Sequence, residues 1–358
     1  MYSARARRRP GVNADERLAA GCGRRYTAAV LRIERGGCVV FERAYGTLDD
    51  MADARPTFVT TPFDLASLTK IVVATAVLRA VAGEALTLDA SLVPWLIEWR
   101  GTPRAAITAR MLLAHTAGLA SGADYRTLLG ERIERAALLC ESVGSPGERV
   151  VYSDLGFIAL GVLLARLHGS SLAAIAGETL GALGCGATAY RPRNDAPGAI
   201  PATEYDPWRG RVRGAVHDEK AFLMNGVAGH AGLFGPARDV AAVAEAYLAA
   251  AHGRPSQGLP PGLAGEAIAE HGADSVLRRG LGWALKTSDE NSCGAALSFS
   301  TFGHTGFTGT SVWADPAQDL SVVLLTNAVY YGRYDLRDLR AAVCDAAAME
   351  YGTCTQSA

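Results

Sequence analysis

One segment decides the fold of this chain, SLTKIVVATAVLRAVA at residues 67–82. The segment is apolar on nearly every side, and a helix of this kind is buried in the core of a protein. Its first turn carries Ser67 and Lys70, which share one face because residues three apart on a helix are neighbours. The pattern predicts a core helix that presents a hydroxyl and an amine together at its N-terminus.

Lysine is rare in this chain, and its rarity makes Lys70 informative. Among 35 basic residues, lysine occurs only as Lys70, Lys220 and Lys286. Lysine can lose its proton when it is desolvated, whereas arginine effectively cannot. An amine one turn after a serine can take the hydroxyl proton and make the serine a nucleophile. The pair therefore predicts a nucleophilic Ser67 with Lys70 as its partner.

Composition and charge bound the class of protein. The chain has 358 residues, of which 49% are hydrophobic and 20% charged, with a formal net charge of −1. It is long enough to bury a sizeable core, and its balance of charge favours neither nucleic acid nor an anionic membrane as a partner. The basic run at residues 5–9 is not followed by an apolar stretch, so we expect no signal peptide, no membrane span and a cytoplasmic location. A misassigned start that removes an export signal stays open as an alternative.

Metal and disulfide chemistry are not indicated. The seven cysteines are scattered and form no Cys-x-x-Cys pair, which argues against a disulfide framework and a structural zinc site. The polar residues at 217–219 and His230 match no familiar metal-site spacing, and we interpret them as a loop-stabilising cluster. Neither a phosphate-binding loop nor a dinucleotide fingerprint occurs. We expect no cofactor and no metal.

Strand-like runs lie near both ends of the chain, and helical periodicity fills the middle. The predicted strands are Tyr26–Ile33, Cys38–Tyr45, Gly282–Leu285, Thr310–Ala314 and Leu320–Thr326. The first two are joined by a glycine-containing turn and predict a hairpin. This order predicts one antiparallel sheet built from both ends of the chain and flanked by helices.

The same order predicts the domain organisation. We expect residues 1–24 to form a poorly ordered arm and residues 25–350 to form a single domain. Within it, residues 25–90 and 275–350 would form an α/β part, and residues 91–274 an inserted, mainly helical part.

Further motifs follow Ser67-x-x-Lys70 in order along the chain. They are His115-Thr-Ala-Gly-Leu119, Tyr152-Ser-Asp154, Val216-His-Asp-Glu-Lys-Ala221, Gly229-His-Ala-Gly-Leu-Phe234 and His304-Thr-Gly306. With them the chain resembles the serine β-lactamase and penicillin-binding protein superfamily over about residues 25–350. The similarity is to the class C-like branch, which includes family VIII esterases and penicillin-binding protein 4B-like serine hydrolases.

The resemblance implies an α/β plus all-α fold of the β-lactamase/transpeptidase type and a role for each matched residue. Ser67 would attack a carbonyl and form an acyl-enzyme, while Lys70 and Tyr152 would move the protons. The backbone amides of Ser67 and Phe307 would form the oxyanion hole. The pair Thr305–Gly306 would let the substrate lie along the edge of its strand.

Two departures from the family pattern bear on the substrate. His304 stands where the family keeps a lysine that helps to hold a substrate carboxylate, and an imidazole with its ordinary pKa near 6.5 is largely neutral at pH 7. We therefore expect neutral substrates at pH 8 and a shift toward carboxylates as His304 charges near pH 6. Asp154 replaces the family's asparagine, and near Lys70 it would raise the pKa of the lysine and move the role of base toward Tyr152.

The first hypothesis is a serine hydrolase or acyltransferase that acts on a small neutral ester or amide, a small-molecule acyl substrate. The alternatives are a D,D-peptidase or weak β-lactamase, and a non-catalytic penicillin-binding or sensor module. Lys286-Thr-Ser288 imitates the Lys-Thr-Gly motif but lacks a glycine-rich strand entry, and His115 is interpreted as a structural hydrogen-bonding residue. The sequence does not specify the oligomeric state.

Overall fold

The computed structural model describes residues 13–129, 132–192, 199–256, 258–273 and 278–352. The first twelve residues of the predicted arm lie outside these ranges. The six cysteines within them are free thiols.

The helices and strands alternate in blocks along the described chain. The helices are α1 (Ala14–Gly21), α2 (Thr69–Ala82), α3 (Ala109–Leu113), α4 (Ile133–Leu138), α5 (Asp154–His168), α6 (Leu172–Ala182), α7 (Glu219–Leu223), α8 (Ala237–Ala251), α9 (Pro261–Ile268) and α10 (Arg337–Tyr351). The strands are β1 (Ala28–Arg35), β2 (Cys38–Gly46), β3 (Phe63–Asp64), β4 (Ala189–Tyr190), β5 (Tyr205–Asp206), β6 (Gly210–Arg211), β7 (Leu233–Gly235), β8 (Gly272–Ala273), β9 (Arg278–Arg279), β10 (Ala284–Leu285), β11 (Phe302–Thr305), β12 (Ser311–Asp315) and β13 (Leu320–Thr326).

Within the described residues, the main sheet has eight antiparallel strands in the order β2-β1-β13-β12-β11-β10-β9-β8. Strand β1 from the start of the chain pairs with β13 from its end, in a register that joins Ala29 to Thr326 and Arg35 to Leu320. The prediction of one antiparallel sheet built from both chain ends is confirmed. The interpretation of residues 25–350 as a single domain in two parts stays a prediction.

Helices cover both faces of this sheet, which explains why the first four residues of β1, from Ala28 to Leu31, are all apolar and buried. Helix α8 contacts β1, β12 and β13, and α10 contacts β13. Neighbouring strand residues point to opposite faces, so Val30 packs in the larger core cluster and Leu31 in the smaller one under α10. A strand buried on both faces loses the alternation of polar and apolar residues.

The prediction that residues 1–24 form a poorly ordered arm is wrong for helix α1, Ala14–Gly21. Leu18 is fully buried, and the hydroxyl of Tyr26 donates a 2.5 Å hydrogen bond to its carbonyl oxygen. Asn13 caps the helix by accepting a hydrogen bond from the amide of Glu16 at 2.8 Å. Helix α1 packs against α10 and β2, so burial of its apolar side orders a segment that is too short to be stable alone.

A small three-stranded sheet and the core helix α2 together position Ser67 and the segment that carries His230. Strand β3 pairs with β7, and β7 pairs with β4, which brings the turn before Ser67 beside the segment that carries His230. Helix α2 is buried on nearly all sides against α5 and α6, as its sequence predicts. Gly229 allows its segment to approach α5 closely, because a Cβ there would lie 1.9 Å from the carbonyl oxygen of Phe157.

We also compared the helices with the thickness of a membrane. Of the helices in the described ranges, none is by itself long and apolar enough to cross a bilayer. Helices α5 and α6 reach that length only as a pair, and the pair is bent by 88°.

Candidate active site

Ser67 lies in a short 3-10 turn, Ala66–Leu68, that runs directly into α2. Its Oγ accepts a hydrogen bond from Lys70 Nζ at 2.9 Å and another from the hydroxyl of Tyr152 at 3.0 Å. Ala66 has a φ of +46°, a left-handed conformation that costs energy in a residue other than glycine. The strained turn places the serine hydroxyl between an amine and a phenol.

The amine of Lys70 is fully buried and surrounded by acceptors. Besides Ser67 Oγ, it donates to the carbonyl oxygen of His230 at 3.2 Å and pairs with Asp154 Oδ1 at 2.9 Å. Burial by itself lowers the pKa of Lys70, but the charge of Asp154 and then Tyr152 outweigh burial and raise it above the ordinary value. Three acceptors match the three N–H donors of an ammonium group, so Lys70 is charged in this arrangement.

Asp154 lies between Lys70 and Lys220 and pairs with both. It thereby connects Ser67 and Lys70 to a second polar cluster, formed by Lys220, Asp218 and His230. Its Oδ2 is 3.5 Å from Lys220 Nζ, which also pairs with Asp218 at 3.3 Å. Burial raises the pKa of Asp154, but Lys70, His230 and Lys220 together lower it below its usual range. The sequence prediction that Asp154 lies beside Lys70 is confirmed. Lys220 was not predicted as a site residue, although the scarcity of lysine was a signal for it.

The polar residues near 217–230 separate into two groups. Asp218 accepts from His230 at 2.8 Å, whereas the side chain of His217 pairs with Glu204 at 2.6 Å. Ligand atoms of Asp154, Asp218 and His230 all lie within 4.8 Å of one another, a spacing that a metal ion could use. The two lysine ammonium groups already pair with these carboxylates, and their charge opposes a divalent cation at the same place.

Tyr152 is held by ring contacts on several sides. Its ring lies 4.6 Å from that of His115, and Lys70 Nζ lies 4.9 Å from its centroid. The guanidinium of Arg279 lies 5.3 Å from the same centroid. Nδ1 of His115 accepts a 3.0 Å hydrogen bond from the amide of Ser153, so the structural role predicted for His115 is confirmed.

His304 lies behind the wall of the site and not on its surface. Only 3% of the surface of His304 is exposed, and its Nδ1 forms a 2.8 Å hydrogen bond with the carbonyl oxygen of Thr305. In the part of the chain that the structure describes, Nε2 has no hydrogen-bond partner. Burial, then the charges of Lys70 and Arg279, lower the pKa of His304 to about 3. The expectation that His304 becomes charged near pH 6 is therefore wrong, because the sequence did not reveal its burial beside two cations.

A cavity of about 740 Å³ opens over Ser67. Six residues predicted for the site line it, namely Ser67, Tyr152, Asp154, Thr305, Gly306 and Phe307. Gly306 has no room for a side chain, since a Cβ would lie 2.7 Å from the carbonyl oxygen of Leu65. Glycine thus lets the turn that carries Phe307 approach the turn that carries Ser67.

The cations on the cavity wall include groups that already have partners. Lys220 pairs with two aspartates as described above, and Arg333 pairs with Glu204 at 2.9 Å and with Glu219 at 2.7 Å. Arg340 donates to the carbonyl oxygens of Gly306 and Thr310. These contacts engage three of the positive groups that line the cavity.

Lys286 is not on the cavity wall. It is buried, and its amine donates to the carbonyl oxygens of Ala295 at 3.1 Å and Leu297 at 2.7 Å. The interpretation of Lys286-Thr-Ser288 as an imitation of Lys-Thr-Gly is confirmed.

Comparison with known proteins shows the family of this chain. The family model described as Beta-lactamase matches residues 14–347. Esterase EstB of Burkholderia gladioli is 32% identical over 86% of this chain and 88% of its own length. N-acetylmuramyl-L-alanine amidase of Bacillus subtilis (strain 168) is 29% identical over 91% of this chain and 82% of its own. The solved structure of EstCE1, a hydrolase with promiscuous acyltransferase activity, has a TM-score of 0.73 at 22% identity, covering 92% of this chain and 98% of that one.

Proposed function

This chain belongs to the β-lactamase family as a serine hydrolase, and from that premise we propose that Ser67 forms an acyl-enzyme with an ester or amide. One observation carries the proposal. Ser67 Oγ lies within 3.0 Å of both Lys70 Nζ and the Tyr152 hydroxyl, at the wall of a cavity large enough for a small molecule. A nucleophile within hydrogen-bond reach of proton-transfer groups is the arrangement that covalent catalysis requires.

In the geometry described above, the Tyr152 hydroxyl donates to Ser67 Oγ. The proposed acylation step starts once this hydroxyl has released its proton to solvent, and the phenolate oxygen then accepts the proton of Ser67. The lysine cannot take it, because its three N–H bonds point to acceptors and its charge is stabilised by Asp154. Lys70 and Arg279 lie close to the Tyr152 ring and offset negative charge on the phenol oxygen. Ser67 Oγ bonds to the carbonyl carbon, and the carbonyl oxygen becomes an oxyanion.

We assign the oxyanion to the backbone amides of Ser67 and Phe307, each of which is worth roughly 3–4 kcal/mol of barrier in such a site. When the oxyanion collapses, the bond to the leaving group breaks, and the leaving group takes the proton from Tyr152. Thr305 at the end of β11 and Gly306 just after it offer their backbone to the substrate, since β10 pairs with β11 only at Phe302 and Gly303.

In the second step, water gives a proton to the phenolate oxygen of Tyr152 and attacks the acyl carbon. Ser67 then leaves the tetrahedral intermediate and recovers the proton, which restores the starting state. If an alcohol or amine takes the place of water, the same two steps transfer the acyl group. The ratio of hydrolysis to transfer is measured by adding an acceptor alcohol and quantifying both products.

The substrate we propose is small and neutral beside the scissile carbonyl. His304 carries no charge at neutral pH, and Lys220, Arg333 and Arg340 on the wall already have partners. Arg279 also lines the cavity, but its guanidinium lies 5.3 Å from the centroid of the Tyr152 ring and serves the phenol oxygen in the acylation step. A carboxylate in a partly dry cleft without a cation is costly. The names of the esterase and amidase relatives support the same two bond types. We further propose a cytoplasmic location, supported by the six free thiols among the described residues, and no nucleic-acid partner, supported by the balance of charge.

Covalent labelling tests the nucleophile directly. A fluorophosphonate should modify Ser67 alone, and the adduct is located by peptide mass. Ser67→Ala should abolish both labelling and ester hydrolysis, while Ser300→Ala, which changes an exposed serine away from the cavity, should change neither. Labelling at another residue, or activity in Ser67→Ala, would contradict the proposal.

Turnover separates the alternatives. A p-nitrophenyl ester should be hydrolysed through many cycles, whereas a penicillin-binding sensor would stop after one equivalent. A D,D-peptidase or weak β-lactamase would give a higher kcat/KM for D-Ala-D-Ala peptides or penicillins than for the ester.

A further inference from the structure

Asp64 is a buried carboxylate that the proposed reaction does not use. It lies in β3, three residues before Ser67, and is only 4% exposed. Among the residues that the structure describes, no lysine, arginine or histidine side chain forms an ion pair with it. An ionised group without a cation is expensive to bury, and burial raises the pKa of Asp64 against the opposing effect of its amide hydrogen bonds.

The contacts of Asp64 explain why the fold tolerates this cost. Oδ1 accepts from the amide of Ala66 at 2.9 Å, and Oδ2 accepts from the amide of His217 at 2.6 Å. The carbonyl oxygen of Asp64 accepts from the hydroxyl of Thr308 at 2.8 Å. One residue therefore joins the turn that carries the nucleophile, the segment that leads to Asp218 and Lys220, and the turn that follows Phe307.

Only a carboxylate satisfies both amides at once. A carboxylate offers two accepting oxygens, whereas an asparagine offers one oxygen and an NH₂ group that would face an N–H donor. Ala66, immediately before Ser67, has a left-handed backbone with a φ of +46°, and the hydrogen bond from its amide to Asp64 helps to hold this conformation. Such strain persists only where the surroundings fix it.

We propose that Asp64 is a positioning residue that fixes Ser67 relative to Phe307 and to the segment from His217 to Lys220. The proposal rests on the proposed function of Ser67. Loss of one of its accepting oxygens should let the Ser67 turn move away from the geometry needed for attack. A displacement of about 1 Å can lower a rate by about 100-fold. Because Asp64 does not itself line the cavity, binding should be affected less than chemistry.

Asp64→Asn tests this, and the fold offers a matched control. Asp239 is also 4% exposed, and its Oδ2 accepts from the amide of Ala187 at 3.0 Å and from the hydroxyl of Thr188 at 2.9 Å. Its Oδ1 faces Arg238 Nε at 3.4 Å, and this contact is the one that Asp239→Asn removes. Asp239 does not line the cavity. Asp64→Asn should lower kcat for ester hydrolysis by about 10- to 100-fold with KM changed less than about threefold. Asp239→Asn should lower the thermal unfolding midpoint but leave kcat of the folded protein unchanged.

Thr308→Val is a second variant, needed if Asp64→Asn does not fold. It removes the hydroxyl that reaches the carbonyl of Asp64 while keeping a β-branched side chain, and kcat should again fall more than KM changes. The proposal is overturned if a folded Asp64→Asn keeps kcat within threefold of wild type, or if Asp239→Asn loses as much. With Asp64→Asn unfolded, an unchanged kcat in Thr308→Val overturns it.

Labelling of the wild type distinguishes this failure from that of the proposed function. If fluorophosphonate does not modify Ser67 in the wild type, the nucleophile is wrong and the positioning role falls with it. If Ser67 is modified at equal rates in wild type and Asp64→Asn, only the positioning role is overturned.

Discussion

Burial of His304 should make the stability of this protein sensitive to mild acid. The pKa of His304 is lowered to about 3 in the folded protein, by burial and then by Lys70 and Arg279, whereas an unfolded histidine titrates near 6.5. Below about pH 6.5 the unfolded chain therefore binds a proton that the folded chain does not bind. Stability from this group is complete above pH 6.5 and is lost as the pH falls from there toward 3.

The size of the effect follows from the two pKa values. Between pH 7.5 and pH 5, one such histidine lowers the free energy of unfolding by about 2 kcal/mol. His304→Asn cannot titrate in this range, so its free energy of unfolding should fall about 2 kcal/mol less than that of the wild type between the two pH values. His115 is present in both proteins, and burial, Arg279 and Lys70, which both proteins keep, hold its pKa well below the ordinary value.

The assay is urea unfolding followed by circular dichroism at pH 7.5 and pH 5 for both proteins. For each protein, the free energy of unfolding at pH 5 is subtracted from that at pH 7.5, and the two results are compared. This comparison cancels the stability that His304→Asn loses at neutral pH through packing or the hydrogen bond to Thr305. Equal pH dependence in the two proteins would refute a depressed pKa for His304.

A neutral imidazole also has a kinetic consequence. The ratio of kcat/KM for a neutral ester to kcat/KM for a penicillin should not change through His304 between pH 8 and pH 6.

Three further predictions concern the groups around Ser67. Asp154→Asn should move the alkaline limb of kcat/KM to lower pH, because Asp154 raises the pKa of Lys70; a gain in activity with rising pH would instead make neutral Lys70 the base. Tyr152→Phe should keep the fold by circular dichroism and lower kcat by about 10²–10⁴, and an unchanged kcat would remove Tyr152 from proton transfer. Lys70→Arg should be nearly as inactive as Lys70→Ala, because the fully buried site fits a compact ammonium and not a planar guanidinium; most of the wild-type rate in the arginine variant would contradict this.

Local periodicity was enough to predict the parts of the fold that are long and apolar. Helix α2 and strand β13 appear in the sequence as long apolar runs, and β1 and β2 as shorter apolar runs interrupted by charged residues. Their order along the chain predicted a sheet made from both ends. The strands β3, β4 and β7 have two or three residues each. Runs this short carry no period, so the small sheet that places Ser67 beside the His230 segment could not be predicted.

The site was predictable where its contacts are local and not where they depend on packing. Ser67 and Lys70 are three residues apart, and helical geometry alone brings them together. The pairing of Lys220 with Asp154 joins residues far apart in the chain. The charge state of His304 depends on how completely β11 is covered, and a family motif gives the position of that residue without its burial.

The three lysines gain a common explanation from the structure. Lys70 and Lys220 share the carboxylate of Asp154, and Lys286 donates to two backbone carbonyls inside the protein. In each place a small cation is surrounded by several oxygen acceptors in little space. A compact ammonium group can direct three rotatable donors to such acceptors, whereas the rigid planar fork of arginine needs more room and matches the two oxygens of one carboxylate. The few lysines of this chain thus stand where a compact positive charge is buried among oxygen acceptors. Two of these three lysines, Lys70 and Lys220, lie at the proposed active site.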